Sequence, residues 1–266
     1  MVKNLLIINV LCFVAQQTLG GPNSSFSFDD LFALHAWQSS LFKPWQLVTH
    51  LFLHGDFSHI LGNMFGLWMF GSVLENVWGA KRFITFYMIC GLGAALMHLL
   101  FLSWELMPLI KDYDAIFQQH AAATGAEANA MINFLVKHPG IFQDQAGMIG
   151  YLQASGTNGG HMSEIFGGIT SYYQNNINTA TIGASGAVFG VLAAFVYLFP
   201  NTYLYLYFLI PVKAKWIGLL YFSYELFFAV RNSAGDHVAR WAHVGGAIVG
   251  LLIVMTWNKT NKKTLY

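Results

Sequence analysis

The run Thr181-Ile182-Gly183-Ala184-Ser185-Gly186-Ala187-Val188-Phe189-Gly190 opens an apolar stretch that continues to Phe199. Crossing about 30 Å of hydrocarbon takes about 20 apolar residues of helix, so residues 181–199 read as a membrane span. Ser185 lies in its first turns among small residues. Working outward, five further runs have the same character: 4–20, 57–77, 83–103, 211–230 and 240–257. The whole chain agrees with them, being 56% hydrophobic, 16% aromatic and only 9% charged, where soluble domains carry about a quarter charged residues. The expected fold class is therefore all-α, a polytopic six-helix membrane bundle. A net charge of +1 offers no field to attract nucleic acid. Cys12 and Cys90 both sit in apolar runs and read as packing residues.

With six spans, both termini share one face. Lys3, Lys81, Arg82, Lys213, Lys215, Lys259, Lys262 and Lys263 fall on it, eight of the thirteen basic residues, which makes it the cytoplasmic side. The expected location is a cell inner membrane, multi-pass, with N- and C-termini cytoplasmic. A secretory signal peptide is the alternative for the first run. Residues 104–180 read as a long outer connection between the third and fourth spans, broken by Pro108, Pro139 and many glycines, with short pieces such as 131–136 that suit a helix. Its His120, His138 and His161 lack metal-ligand spacing, so no metal and no cofactor are expected.

Polar side chains at membrane depth lack partners in hydrocarbon and are functional candidates by default. Three clusters qualify. The entry and first turns of the second span carry His54, His59 and Asn63, the last two sharing a helix face. The fourth carries Ser185, and the sixth carries His243. These spans all begin on the outer side, which brings the four groups to one depth. Gly186 with Gly190, and Gly246 with Gly250, form small-xxx-small pairs that let two helices approach closely. A hydroxyl and an imidazole then come within hydrogen-bond reach, the requirement for activating a weak serine nucleophile. His59, Asn63 and the Ser185 backbone N–H are placed as oxyanion donors. No third, carboxylate member is evident. Each residue alone also has a plainer reading, as interhelical packing or hydrogen bonding. Gly183-Ala184-Ser185-Gly186 lacks the glycine at 187 that a soluble hydrolase's nucleophile turn needs.

These three blocks resemble the rhomboid proteases. Gly183-Ala184-Ser185-Gly186 is similar to the family's Gly-x-Ser signature, His243 with Gly246 and Gly250 to its sixth-helix block, and His54, His59 and Asn63 to its second-helix pattern. The resemblance covers nearly the whole chain, read as a single rhomboid domain of residues 1–266 with 104–180 as an extracytoplasmic insertion. It implies an intramembrane serine endopeptidase acting through a Ser185–His243 dyad on transmembrane segments of other membrane proteins. His59, Asn63 and the Ser185 N–H would hold the oxyanion, and His54 would line a water-filled entrance. Gly183, Phe189, Gly246 and Gly250 would pack the active site, and Glu75 would be structural. Substrate would enter laterally between the second and fifth spans. The family's Trp-Arg pair is absent from the first outer loop, and Phe189 stands where some relatives have Tyr. Glu225, in the fifth span, reads either as a satisfied interhelical group or as one that tunes that helix's movement. A catalytically silent rhomboid-like protein that binds transmembrane clients is the alternative. A solute transporter would require inverted repeats, and none is found.

Overall fold

The computed structural model describes residues 1–19, 27–121, 127–155, 161–206, 209–231 and 238–260. His120 lies outside these residues as far as its side chain is concerned. Along the chain come α1 (Val2–Leu19), α2 (Phe28–Phe32), α3 (Gln46–Thr49) running into a 3₁₀ turn (His50–Phe52), and α4 (Phe57–Gly66). A π-helical turn (Leu67–Gly71) joins α4 to α5 (Ser72–Trp78), and α6 (Ala80–Ala121), α7 (Glu127–Lys137), α8 (Gln145–Ser155) and α9 (Met162–Ile177) follow. The chain continues with α10 (Ser185–Leu198), a hairpin of β1 (Tyr203–Leu206) and β2 (Ile210–Lys213), α11 (Ala214–Arg231) and α12 (Arg240–Thr260).

Among the described residues, α1, the Phe57–Trp78 helix, α6 and α12 are long and apolar enough to cross a bilayer, and α10 is a shorter apolar helix. The chain is a polytopic, all-α membrane protein. Its outward faces carry Ile7, Leu11, Leu61, Trp68, Leu220 and Leu252, each largely exposed, as expected of helices whose surroundings are hydrocarbon rather than water. The third helix departs from the sequence reading. Instead of stopping at 103, α6 runs 42 residues through Pro108, about 60 Å at 1.5 Å per residue. A single proline removes one intrahelical hydrogen bond without necessarily ending the helix.

Two compact units divide the chain. One comprises residues 1–37, 41–101 and 180–266. Its core gathers Leu67, Leu74, Phe83, Phe86, Tyr87 and Phe195, all buried. Small residues set the packing of α10 on α12. A Cβ on Gly246 would lie 1.8 Å from the Gly186 carbonyl oxygen, and one on Gly250 would lie 2.6 Å from that of Gly190. At the other end of these helices Arg82 stacks its guanidinium 4.1 Å above Trp257. The Val2 N–H donates to Glu75 Oε2 at 2.7 Å, and the Met1 amine donates to Oε1, so Glu75 holds the start of α1 with a negative charge where a helix favours one.

The segment before α4 folds around the fully buried Gln46. Its Oε1 accepts from the Lys43 N–H at 3.0 Å, and its Nε2 donates to the Leu41 and Asp30 carbonyls at 3.0 and 3.2 Å. Thr49 Oγ1 donates to the Phe32 carbonyl at 2.7 Å, and Trp45 Nε1 donates to that of Leu31 at 2.9 Å. These bonds satisfy irregular backbone that would otherwise be buried without partners.

The second unit, residues 38–40 and 102–179, is helical well beyond the short 131–136 piece that the sequence suggests. The distal part of α6 packs with α7, α8 and α9 around Ile116, Met131, Phe134, Leu135, Ile165 and Ile169. Gln145 ties the turn after α7: its Oε1 accepts from the Gly140 and Ile141 N–H groups at 3.0 and 2.9 Å, and its Nε2 donates to the His138 carbonyl at 3.1 Å. The two described histidines here each face a carboxylate, His138 beside Asp112 at 3.3 Å and His161 beside Glu164 at 2.9 Å.

Candidate active site

Ser185 is the first residue of α10. Its backbone N–H, with those of Gly186 and Ala187, belongs to the first helical turn and has no intrahelical acceptor. The approach to this turn is fixed from several directions. Thr181 pairs in both directions with Leu34, N–H to carbonyl, at 2.8 and 2.9 Å. His98 Nε2 lies 2.8 Å from Thr181 Oγ1. The Gly183 N–H donates to the His50 carbonyl at 2.9 Å. Gly183 itself has φ +127°, a conformation glycine adopts freely and other residues rarely do.

His243 stands in the first turn of α12 and is buried. Its Nε2 lies 2.8 Å from Ser185 Oγ, and its Nδ1 lies 3.0 Å from Glu225 Oε2 on α11. Phe189, one turn beyond Ser185, lies parallel to the imidazole with centroids 4.2 Å apart and planes 7° from parallel. The same ring touches Tyr221 and Phe222 of α11. His243 is thus held in plane by an aromatic face and along both nitrogens by oxygen partners.

His59 lies on the opposite side of the serine turn. A Cβ on Gly183 would sit 2.8 Å from His59 Nε2 and 3.6 Å from Ser185 Oγ, so the ring and the hydroxyl border the same small volume. The α4 start that carries His59 is capped by Asp56, whose Oδ1 accepts from the His59 N–H at 2.9 Å and from Ser58 Oγ at 2.5 Å. Those bonds, Ser58's foremost, hold the Asp56 carboxyl below the usual carboxylate range. The Gly55 N–H donates to His59 Nδ1 at 3.4 Å. A neutral imidazole that accepts at Nδ1 carries its proton on Nε2, on the side facing Gly183. Asn63, one turn along α4, is buried, and its Nδ2 has no hydrogen-bond partner among the described residues.

The structure therefore brings Ser185, His243, His59, Gly183 and Phe189 together. His54 is placed differently from the sequence reading. It does not line an open entrance: the ring is 0% exposed and meets His59 edge-on at 5.1 Å. Burial, followed by the neighbouring His59, pushes its imidazole down to about 4, because an enclosed ring disfavours the charged form. Glu225, given no catalytic part from the sequence, is the carboxylate against His243. His50, His98 and Thr181, which hold the serine turn, also escaped the sequence reading. They stand in separate segments with no shared spacing, and only the folded chain assembles them.

Comparison with known proteins gives the same direction. A protein-family model described as the Rhomboid domain matches residues 41–110 and 157–259. Similar curated proteins include RHOMBOID-like protein 12, mitochondrial, of Arabidopsis thaliana, 23% identical over 81% of this chain and 46% of that protein. Rhomboid protein 1, mitochondrial, of Saccharomyces cerevisiae is 22% identical over 77% of this chain and 40% of its own length. Rhomboid protease GluP of Bacillus subtilis is 26% identical over 36% of this chain and 19% of that protein. The chain thus spans about half the length, or less, of the curated relatives it matches.

Proposed function

The chain belongs to the rhomboid family, and on that premise we propose that it is an intramembrane serine endopeptidase, cleaving peptide bonds in or near transmembrane segments of other membrane proteins. The observation that carries this reading is the 2.8 Å contact of Ser185 Oγ with His243 Nε2 at a helix N-terminus. Ser185 Oγ attacks the scissile carbonyl carbon while His243 Nε2 takes the hydroxyl proton. The carbonyl oxygen becomes an oxyanion, for which the Ser185 N–H, His59 Nε2–H and Asn63 Nδ2 are donors that the ground state leaves to other use or to none. His243 returns the proton to the leaving amide nitrogen as the C–N bond breaks. Water, deprotonated by the same imidazole, then hydrolyses the acyl-enzyme. The relatives' Rhomboid protease GluP supports this reading by its name.

The six helices α1, α4–α5, α6, α10, α11 and α12 are the six crossings in this proposal, with both termini on the cytoplasmic face of a cell inner membrane. Substrate enters laterally between the second and fifth of them. The test is cleavage of a single-span substrate in liposomes by the wild type, Ser185→Ala and His243→Ala. Cleavage by the wild type that both substitutions abolish is expected. A wild type inert toward a panel of such substrates, yet binding them, would instead favour a silent client-binding protein.

A further inference from the structure

The buried carboxylate of Glu225 lies outside the two-residue chemistry just proposed, and its geometry is specific. Its Oε2 lies 3.0 Å from His243 Nδ1 and 3.3 Å from Arg240 Nη1. Glu225 is 4% exposed, and Arg240 is held over the Tyr224 and Phe228 rings of α11 at 5.4 and 5.1 Å. Paired with a guanidinium, which can only donate, Glu225 acts as a carboxylate with no proton to give, so the His243 contact is an Nδ1–H donating to Oε2. The neutral imidazole then keeps Nε2 unprotonated, facing the Ser185 hydroxyl. Loss of that partner would let the ring take the other tautomer, with Nε2–H pointing at Ser185 and unable to accept its proton.

We propose that Glu225 is the third member of a Ser185–His243–Glu225 triad, a positioning residue that fixes the imidazole's tautomer and plane and stabilises the imidazolium formed during attack. This rests on the protease reading above. The proton removed from Ser185 Oγ stays on Nε2 until it passes to the leaving nitrogen, and it is not handed on to Glu225. The groups facing this pair are Arg240 and Tyr221 around Glu225, and Ser185, His59 and His98 around His243. Arg240 orients the carboxylate and balances its charge, so that a buried ion is not left alone.

The test is steady-state cleavage of the single-span substrate in liposomes by wild type, Glu225→Gln and Glu225→Asp, with thermal midpoints of each. Glu225→Gln should lower kcat by about a hundredfold or more with KM nearly unchanged, in line with removal of a triad carboxylate. Glu225→Asp should fall between it and the wild type. Wild-type kcat in Glu225→Gln overturns the proposal, as does a loss shared equally by both variants and matched by a lowered midpoint, which marks a purely structural group. Should Glu225→Gln fail to fold, Glu225→Asp carries the test. Its shorter side chain withdraws the carboxylate from Nδ1 and should cost about tenfold or more in kcat, and full activity there overturns the proposal. Should the wild type cleave nothing, the rate at which a fluorophosphonate labels Ser185 replaces kcat in the same comparison. An unlabelled wild-type Ser185 would remove the protease reading itself, and the triad with it.

Discussion

At Gly183 the backbone turns through φ +127°, and any Cβ would press within 2.8 Å of His59 Nε2. One position therefore combines a conformational demand with a steric one, two residues ahead of the candidate nucleophile. Gly183→Ala should destabilise the protein by about 1–3 kcal/mol through backbone strain. It should also lower cleavage far more than a loss of folded protein explains, because the added methyl displaces His59 from the serine turn. The check is kcat per folded molecule, with the fold followed by thermal midpoint. Equal activity in Gly183→Ala and wild type would show that His59 takes no part at that turn.

Between elements, the distance from Ser185 to His243 is set by how closely α10 approaches α12, and backbone glycines set that approach. Gly246→Ala places a methyl 1.8 Å from the Gly186 carbonyl oxygen, so the helices must separate or shift. The expected cost is about 1–3 kcal/mol of stability, with cleavage lost as the 2.8 Å contact opens. Gly62→Ala, on the same scale, meets nothing within 4 Å. It should leave both properties unchanged or raise stability by about 0.5–1 kcal/mol. Comparison of the two variants by thermal midpoint and cleavage rate separates helix packing from helix propensity. This packing was legible in the sequence, since Gly186, Gly190, Gly246 and Gly250 recur four apart beside the only serine and histidine at those span starts. Glu225 was not. It lies 18 residues from His243 on a neighbouring helix, and only the rotation of α11 turns it toward the imidazole. Of the helices in the second unit, α7 was foreseen in part at residues 131–136, but α8 and α9 were hidden for another reason. Both contain glycines, which suggest loops: Gly168 of α9 lies under the Phe142 ring, where a Cβ would come within 2.3 Å, while Gly150 of α8 meets nothing within 4 Å.

For the protein as a whole, stability is tied to pH through imidazoles enclosed near the site. Burial pushes His50 down to about 4, and burial with the nearby His59 does the same for His54. The unfolded chain, whose histidines titrate near about 6.5, takes up protons first as pH falls. The stabilisation from neutral His50 and His54 is therefore complete above about pH 6.5 and is lost progressively down to about pH 4. The thermal midpoint in detergent should decline over that window, and a His50→Gln, His54→Gln double variant should show a shallower decline. An unchanged midpoint from neutral pH to pH 4 would contradict this.

The central claim concerns Ser185 and its base, and the most direct measurement is mass-spectrometric localisation of a fluorophosphonate adduct on the folded protein. Modification of Ser185 in the wild type, lost or greatly slowed in His243→Ala at an unchanged thermal midpoint, is the expected result. Absence of label on Ser185, or labelling at the same rate in both proteins, would show that His243 does not activate this hydroxyl and would contradict the account.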